Sequence, residues 1–223
     1  MQIGIKQVFM NYQELSILTQ WLNPIEIQPQ IRVCRDVMNR INAPEANRLN
    51  DLFFHGRDSV YQSRKDSFKT RGLESFTLSV LFWGFPRNNH QVCTKAYENW
   101  FQLREVVGYM RSHREMTAEN YNNLIASMDD IVGLGISTYS KLLYFSQVSI
   151  NGIPSAILDS FVVKGIQNLT GQEFNNLRGS VTNWRRYVNY PGFLRFFNEL
   201  ASQLGVPAHN LEYTLWLAGK NNR

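Results

Sequence analysis

The 223-residue sequence predicts an all-α fold, and three observations carry that prediction. Apolar residues recur at helical spacing along most of the chain. Strand signals are few. Pro, Gly and Asn gather in short stretches between the periodic segments. At this length a proper core can be buried, as one compact domain or as two tightly packed lobes. Hydrophobic residues make up 43% and aromatic residues 13%, which excludes a disordered chain.

The elements follow in order. Tyr12 to Leu22 reads as a first helix, and Ile31 to Ile41 as a second, opened by the loop holding Pro24 and Pro29. Pro44 begins a third, because proline at a first helical turn has no N–H to lose there; it runs to Phe54 and stops at Gly56. Leu73 to Trp83 is apolar on most sides and should be buried. Gly84-Phe-Pro-Arg-Asn-Asn-His90 breaks it. Gln91 to Tyr109 reads as one long amphipathic helix. Thr117 is a favoured cap for a helix running to Met128. Ser137 to Ser146 is its partner, and Val148 to Pro154 is a loop with the turn dipeptide Asn151-Gly152. Leu158 to Leu169, Ser180 to Val188, Pro191 to Leu204 and Pro207 to Ala218 complete the helices, with Gly205 and Gly219 as stops. Ile3 to Phe9 and Phe76 to Phe82 carry some β-propensity, though the second fits a buried helix equally well.

Composition narrows the function. The formal net charge is +5, from 23 Lys and Arg against 18 Asp and Glu, which mildly favours an anionic partner. Basic residues thicken over Arg57 to Arg71 and Arg178 to Arg195, and the plain reading of each run is a solvated face. Cys34 and Cys93 stand far apart without ligand-spaced neighbours, so no zinc or four-cysteine cluster can be built from them. Met1-Gln-Ile-Gly-Ile-Lys has no signal pattern and no apolar run is long enough for a membrane span, so the expectation is a cytoplasmic protein with no membrane partner, and a monomer.

The densest signal is Ile131-Val-Gly-Leu-Gly-Ile-Ser-Thr138, where two helices meet at a two-glycine turn. Such a turn leaves backbone N–H groups unpaired at a helix start, a seat for a phosphate oxygen. Asp159 follows in Ala156-Ile-Leu-Asp159 after an apolar run. By itself Asp159 reads as the N-cap of the helix behind it. Placed near the turn, a buried carboxylate could instead stabilise positive charge on a sugar while its glycosidic bond breaks.

Ile131-Val-Gly-Leu-Gly-Ile-Ser-Thr-Tyr-Ser-Lys141 resembles the hairpin of the helix-hairpin-helix DNA glycosylases, whose pattern is Leu-Pro-Gly-apolar-Gly-x-(Lys or Ser)-(Thr or Val)-Ala. Ala156-Ile-Leu-Asp-Ser-Phe-Val-Val-Lys164 is similar to the segment carrying that family's catalytic aspartate. The resemblance implies a two-lobed glycosylase domain over residues 1–223 with the helix-hairpin-helix element at 117–146, DNA as partner, and no required cofactor. It implies Asp159 as the catalytic residue, with Gly133, Gly135, Ser137 and Lys141 at the DNA phosphate. It also implies backbone carbonyls of Asp129, Ile131 and Leu134 around a K+ or Na+ ion. Val132 replaces the usual Pro, Tyr139 the small Ala, and Ser137 the Schiff-base lysine of the bifunctional members. That last change resembles the monofunctional enzymes, which use water.

A glycosylase must extrude its base and hold it. Glu212 and Trp216 are four apart on one helix face, similar to the late helix of the oxidised-guanine branch, and would read and stack the base. Leu81-Phe-Trp83-Gly-Phe-Pro-Arg87 resembles a segment of a small bacterial group with that fold, adding Trp83 and Phe85 as pocket walls; core packing explains both rings equally. A carboxylate reader suits an exocyclic amine, which inclines the expected base toward a modified cytosine, as in phage DNA, ahead of oxidised guanine. Two other readings stay open: a non-catalytic helix-hairpin-helix DNA-binding protein with Asp159 as a cap, and a bifunctional glycosylase/lyase whose amine is Lys141.

Overall fold

The computed structural model describes residues 10–22, 24–27, 30–84, 90–131 and 133–221. In chain order the elements are α1 (Tyr12–Trp21), α2 (Pro24–Ile27), β1 (Ile31–Cys34), α3 (Arg35–Met38), α4 (Ala46–Phe54), β2 (Ser59–Gln62), α5 (Arg64–Lys69), α6 (Leu73–Gly84), α7 (His90–Glu98), α8 (Trp100–Ser112), β3 (Glu115–Met116), α9 (Ala118–Asp129), α10 (Ile136–Phe145), β4 (Ser149–Ile150), β5 (Ile153–Pro154), α11 (Ser160–Gln167), α12 (Asn175–Ser180), α13 (Tyr190–Gln203) and α14 (Ala208–Lys220). The fold is all-α with two small sheet fragments: β1 pairs antiparallel with β2, and β3, β4 and β5 form a short three-stranded patch.

Helices α4, α5, α6, α8 and α10 pack as one group, and α1 and α11 to α14 as another. One continuous set of buried apolar side chains runs through both, from Leu15 and Phe54 to Phe197 and Leu215. α6 is buried almost all round, as its unbroken apolar sequence requires. The closest helix approach is α11 against α14. A Cβ on Gly165 would overlap the Leu215 carbonyl, and one on Gly219 that of Phe161. Only glycine lets two backbones come this near.

Several elements depart from the sequence expectation. Ile31 to Ile41 is not one helix: Ile31-Arg-Val-Cys pairs with Ser59–Gln62 in register Ile31 to Gln62, and only Arg35–Met38 is helical. Tertiary pairing overrode a weak helical period. The predicted long helix from Gln91 breaks at Asn99, whose side chain turns back to the Lys95 carbonyl at 2.8 Å. Ser180 to Val188 is turn and 3-10 structure; helix α12 precedes it instead. Asn151 and Gly152, both at positive φ, form a hairpin turn between β4 and β5 where a loop was expected. Gly205 does end α13 at φ 67, whereas α14 runs through Gly219. Ile3 to Phe9 lies outside the described residues.

Candidate active site

The hairpin forms as its sequence demands. Thr117 caps α9 through the Asn120 N–H at 3.1 Å. Gly133 takes φ +90 in the turn, a conformation that favours glycine, and Gly135 opens α10 without a side-chain cap. Gly133 and Gly135 are exposed and Ser137 is half-buried, so the start of α10 is open to an anion. Tyr139, which stands where the family pattern has a small Ala, is fully buried and spans the hairpin. Its hydroxyl donates to the Met128 carbonyl at 3.3 Å, and its ring meets Tyr187 edge-on.

The segment before α11 is pinned to the hairpin. Ser140 Oγ accepts from the Leu158 N–H at 3.0 Å, and Tyr190 donates to the Ala156 carbonyl at 2.7 Å. Asp159 follows as the N-cap of α11, with Oδ1 accepting from the N–H groups of Phe161 and Val162 at 3.0 Å each. Its other oxygen, Oδ2, lies 3.6 Å from Lys141 Nζ. One side chain therefore caps α11 and faces Lys141: the cap fixes one carboxylate oxygen and so aims the second. The carboxyl group faces α10, with its side chain 14% exposed.

Lys141 is where the structure most alters the sequence reading. It was expected at the DNA phosphate, but its side chain is buried at 5% exposure. It runs back along α10, the direction helical side chains take, and Nζ donates to the Ser137 carbonyl at 2.9 Å and Ser137 Oγ at 3.0 Å. Burial pulls its ammonium below the ordinary lysine range, against the opposing charges of Asp159 and Glu212. Room for the stem comes from Gly84, where a Cβ would stand 2.6 Å from Lys141 Cδ.

Beside this pair lies a second one. Arg64 Nη2 is 2.7 Å from Glu212 Oε2, with both side chains almost fully buried. The guanidinium carbon sits 5.5 Å from the Trp83 ring centre and 4.7 Å from that of Tyr144. Burial pushes the Glu212 carboxyl up, and the Arg64 charge works against that rise. Ser63 and Asp66 form a capping box that fixes the first turn of α5 and so the direction of Arg64. The run Arg57 to Arg71 is thus not wholly a solvated face: Arg64 is 1% exposed. Its position gave no sequence signal, because its partner is 148 residues away (212 minus 64).

The expected base pocket is split. Glu212 and Trp83 meet around Arg64, and Trp83 also packs edge-on against Phe145 at 5.0 Å. Half-buried Trp216 instead joins Phe161 and Tyr213, stacked 5.9 Å from the latter, with Lys220 Nζ 4.6 Å over its ring. Phe85 lies outside the described residues. For the monovalent cation, two of the three carbonyls already carry hydrogen bonds. That of Ile131 accepts from the Leu134 N–H at 3.4 Å, and that of Leu134 accepts from the Tyr187 hydroxyl at 2.7 Å. Among the described residues no group of His, Cys, Asp or Glu is placed to hold a metal, and no helix is long and apolar enough to cross a membrane.

A half-buried carboxylate and a buried amine thus meet beside the helix-hairpin-helix turn. The model of the family described as putative 8-oxoguanine DNA glycosylase, OGG-like protein, matches residues 46–216. The chain belongs to that family, which makes DNA glycosylase its class and DNA its partner. No curated protein and no solved structure matches it.

Proposed function

We propose that the protein excises a modified base from DNA using Lys141 as nucleophile and Asp159 as the charge-stabilising carboxylate. The observation that carries this is the 3.6 Å approach of Lys141 Nζ to Asp159 Oδ2 in a buried setting. A desolvated lysine loses its proton more readily and becomes a nucleophile. The uncharged amine attacks C1′ of the deoxyribose. The C1′–N bond breaks with its electron pair leaving on the base, which takes up a proton. Asp159 stabilises the positive charge that develops on the sugar and receives the proton lost by the amine. Asp159 then returns that proton to O4′ as the ring opens, leaving a protonated C1′=N imine to Lys141; loss of a C2′ proton to water then breaks the 3′ C–O bond, with the phosphate as leaving group.

This is the bifunctional reading, with the amine one turn along from Ser137, the hairpin position where the bifunctional relatives carry it. It is preferred to water attack because a buried amine already stands 3.6 Å from the carboxylate. The exposed start of α10 at Gly133, Gly135 and Ser137 would grip phosphate. The base favoured is a modified cytosine, as in phage DNA, which would make the role antiviral; the acceptor Glu212 suits its exocyclic amine better than it suits oxidised guanine.

Borohydride trapping tests the reading. The full chain with a duplex carrying the modified base should give a covalent complex, and Lys141→Gln should give none. Asp159→Asn should slow base release about a hundred- to a thousandfold while DNA binding persists. Base release from the wild type with no trapped complex would return the assignment to the water route.

A further inference from the structure

Arg64 belongs to no part of the chemistry above, yet among the described residues it is the most completely buried charged side chain, at 1% exposure. Among the described residues, no hydrogen bond of good geometry reaches its Nε, Nη1 or Nη2, nor the Nε1 of Trp83; Nη2 and Oε2 of Glu212 meet as an ion pair at 2.7 Å without one. Buried polar groups are almost always satisfied, so an orphaned set in one place points to a ligand. The set is flanked by aromatic faces, Trp83 on α6 and Tyr144 on α10. It is also electrostatically coupled to the Asp159 and Lys141 pair through Glu212.

We infer that Arg64 is a specificity-determining residue that, with Glu212, reads the Watson–Crick edge of an extruded cytosine-type base. This rests on the reading of Lys141 and Asp159 as the reacting pair. The decisive feature is the excess of donors in the set: four donor atoms (Arg64 Nε, Nη1 and Nη2, Trp83 Nε1) to one acceptor, Glu212 Oε2. Cytosine comes nearer the complement, with one donor group at N4 for the single acceptor and two acceptors, N3 and O2, for the donors. Guanine would set two donors against that one acceptor and offer only one acceptor to the donors. A carboxylate beside a guanidinium in effect reproduces the edge by which guanine pairs with cytosine. On entry the base edge inserts between Arg64 and Glu212 and replaces their direct contact by charge-assisted hydrogen bonds. This edge leaves C5 of the ring free to carry the modification. Stacking between flat groups supplies the rest.

The test compares release from duplexes carrying one 5-hydroxymethylcytosine or one 8-oxoguanine, read by mass spectrometry, for wild type, Arg64→Lys and Glu212→Gln. Arg64→Lys keeps the charge facing Glu212 and removes the fork, so it separates recognition from folding. The wild type should release the cytosine-type base in preference, and that preference ratio should fall about tenfold or more in Arg64→Lys. Equal losses on both bases with an unchanged ratio would mean a purely structural residue and overturn the inference, as would a wild-type preference for 8-oxoguanine. Wild-type trapping on a preformed abasic duplex separates the two levels. Trapping without release of a cytosine-type base overturns this inference alone, whereas neither trapping nor release overturns the enzyme reading with it.

Discussion

The two ion pairs differ in how they are held, and the difference bears on what each could do. Lys141 and Asp159 lie at 3.6 Å, and each also has other partners: Lys141 bonds Ser137, and Asp159 bonds two N–H groups of α11. Arg64 and Glu212 are in closer contact at 2.7 Å but leave donor atoms without acceptors. The first pair is oriented from outside itself, so either group can part from the other and remain in place. The second depends on its own contact and on the aromatic faces of Trp83 and Tyr144. A reacting pair needs the first arrangement. A ligand-reading pair tolerates the second, because the ligand completes it.

The sharpest way to break this contrast is thermodynamic. Arg64→Met leaves Glu212 buried without its counter-charge and should destabilise the fold by about 3–5 kcal/mol, whereas Arg64→Met with Glu212→Leu should recover most of that loss. Urea melts of the single and double variants measure it. A single variant as stable as wild type would mean that Glu212 has another partner. A smaller effect is expected where the two pairs are joined. Gly219→Ala forces apart α11, which carries Asp159 at its start, and α14, which carries Glu212, and should cost about 1–3 kcal/mol. Base release should fall with it, since both pairs shift relative to each other.

The smallest expected effect is a displacement in pH. Because burial lowers the Lys141 value, the uncharged amine persists to lower pH than in an ordinary lysine, and the rising limb of the trapping rate should lie below the usual lysine range. The negative charge of Glu212 opposes that lowering, so Glu212→Gln should move the limb further toward acid. A limb that moves toward alkali would show that the two pairs are not electrically coupled in the way described.

Much of the first pair was legible before any coordinates. Gly133 and Gly135, the Thr117 cap and Asp159 sit within one short stretch, where helix caps and turn chemistry act between near neighbours. Lys141 was visible too, but its direction was misjudged, because whether a lysine on a helix meets solvent or another helix depends on what packs over it. The strand at Ile31–Cys34 was missed for a similar reason: its helical period was weak, and its partner Ser59–Gln62 lies beyond α3 and α4.

Local chemistry in the sequence by itself determined the helical class, the hairpin and the capping aspartate, since each depends on residues within a few turns of one another. Only the tertiary structure decided that Arg64 of α5 meets Glu212 of α14, that Trp83 and Trp216 serve different neighbourhoods, and that Tyr187 reaches the Leu134 carbonyl. These contacts join segments far apart in the chain. Their geometry is set by how glycines let α11 and α14 close on each other and by how the shared core fills, which no local pattern encodes.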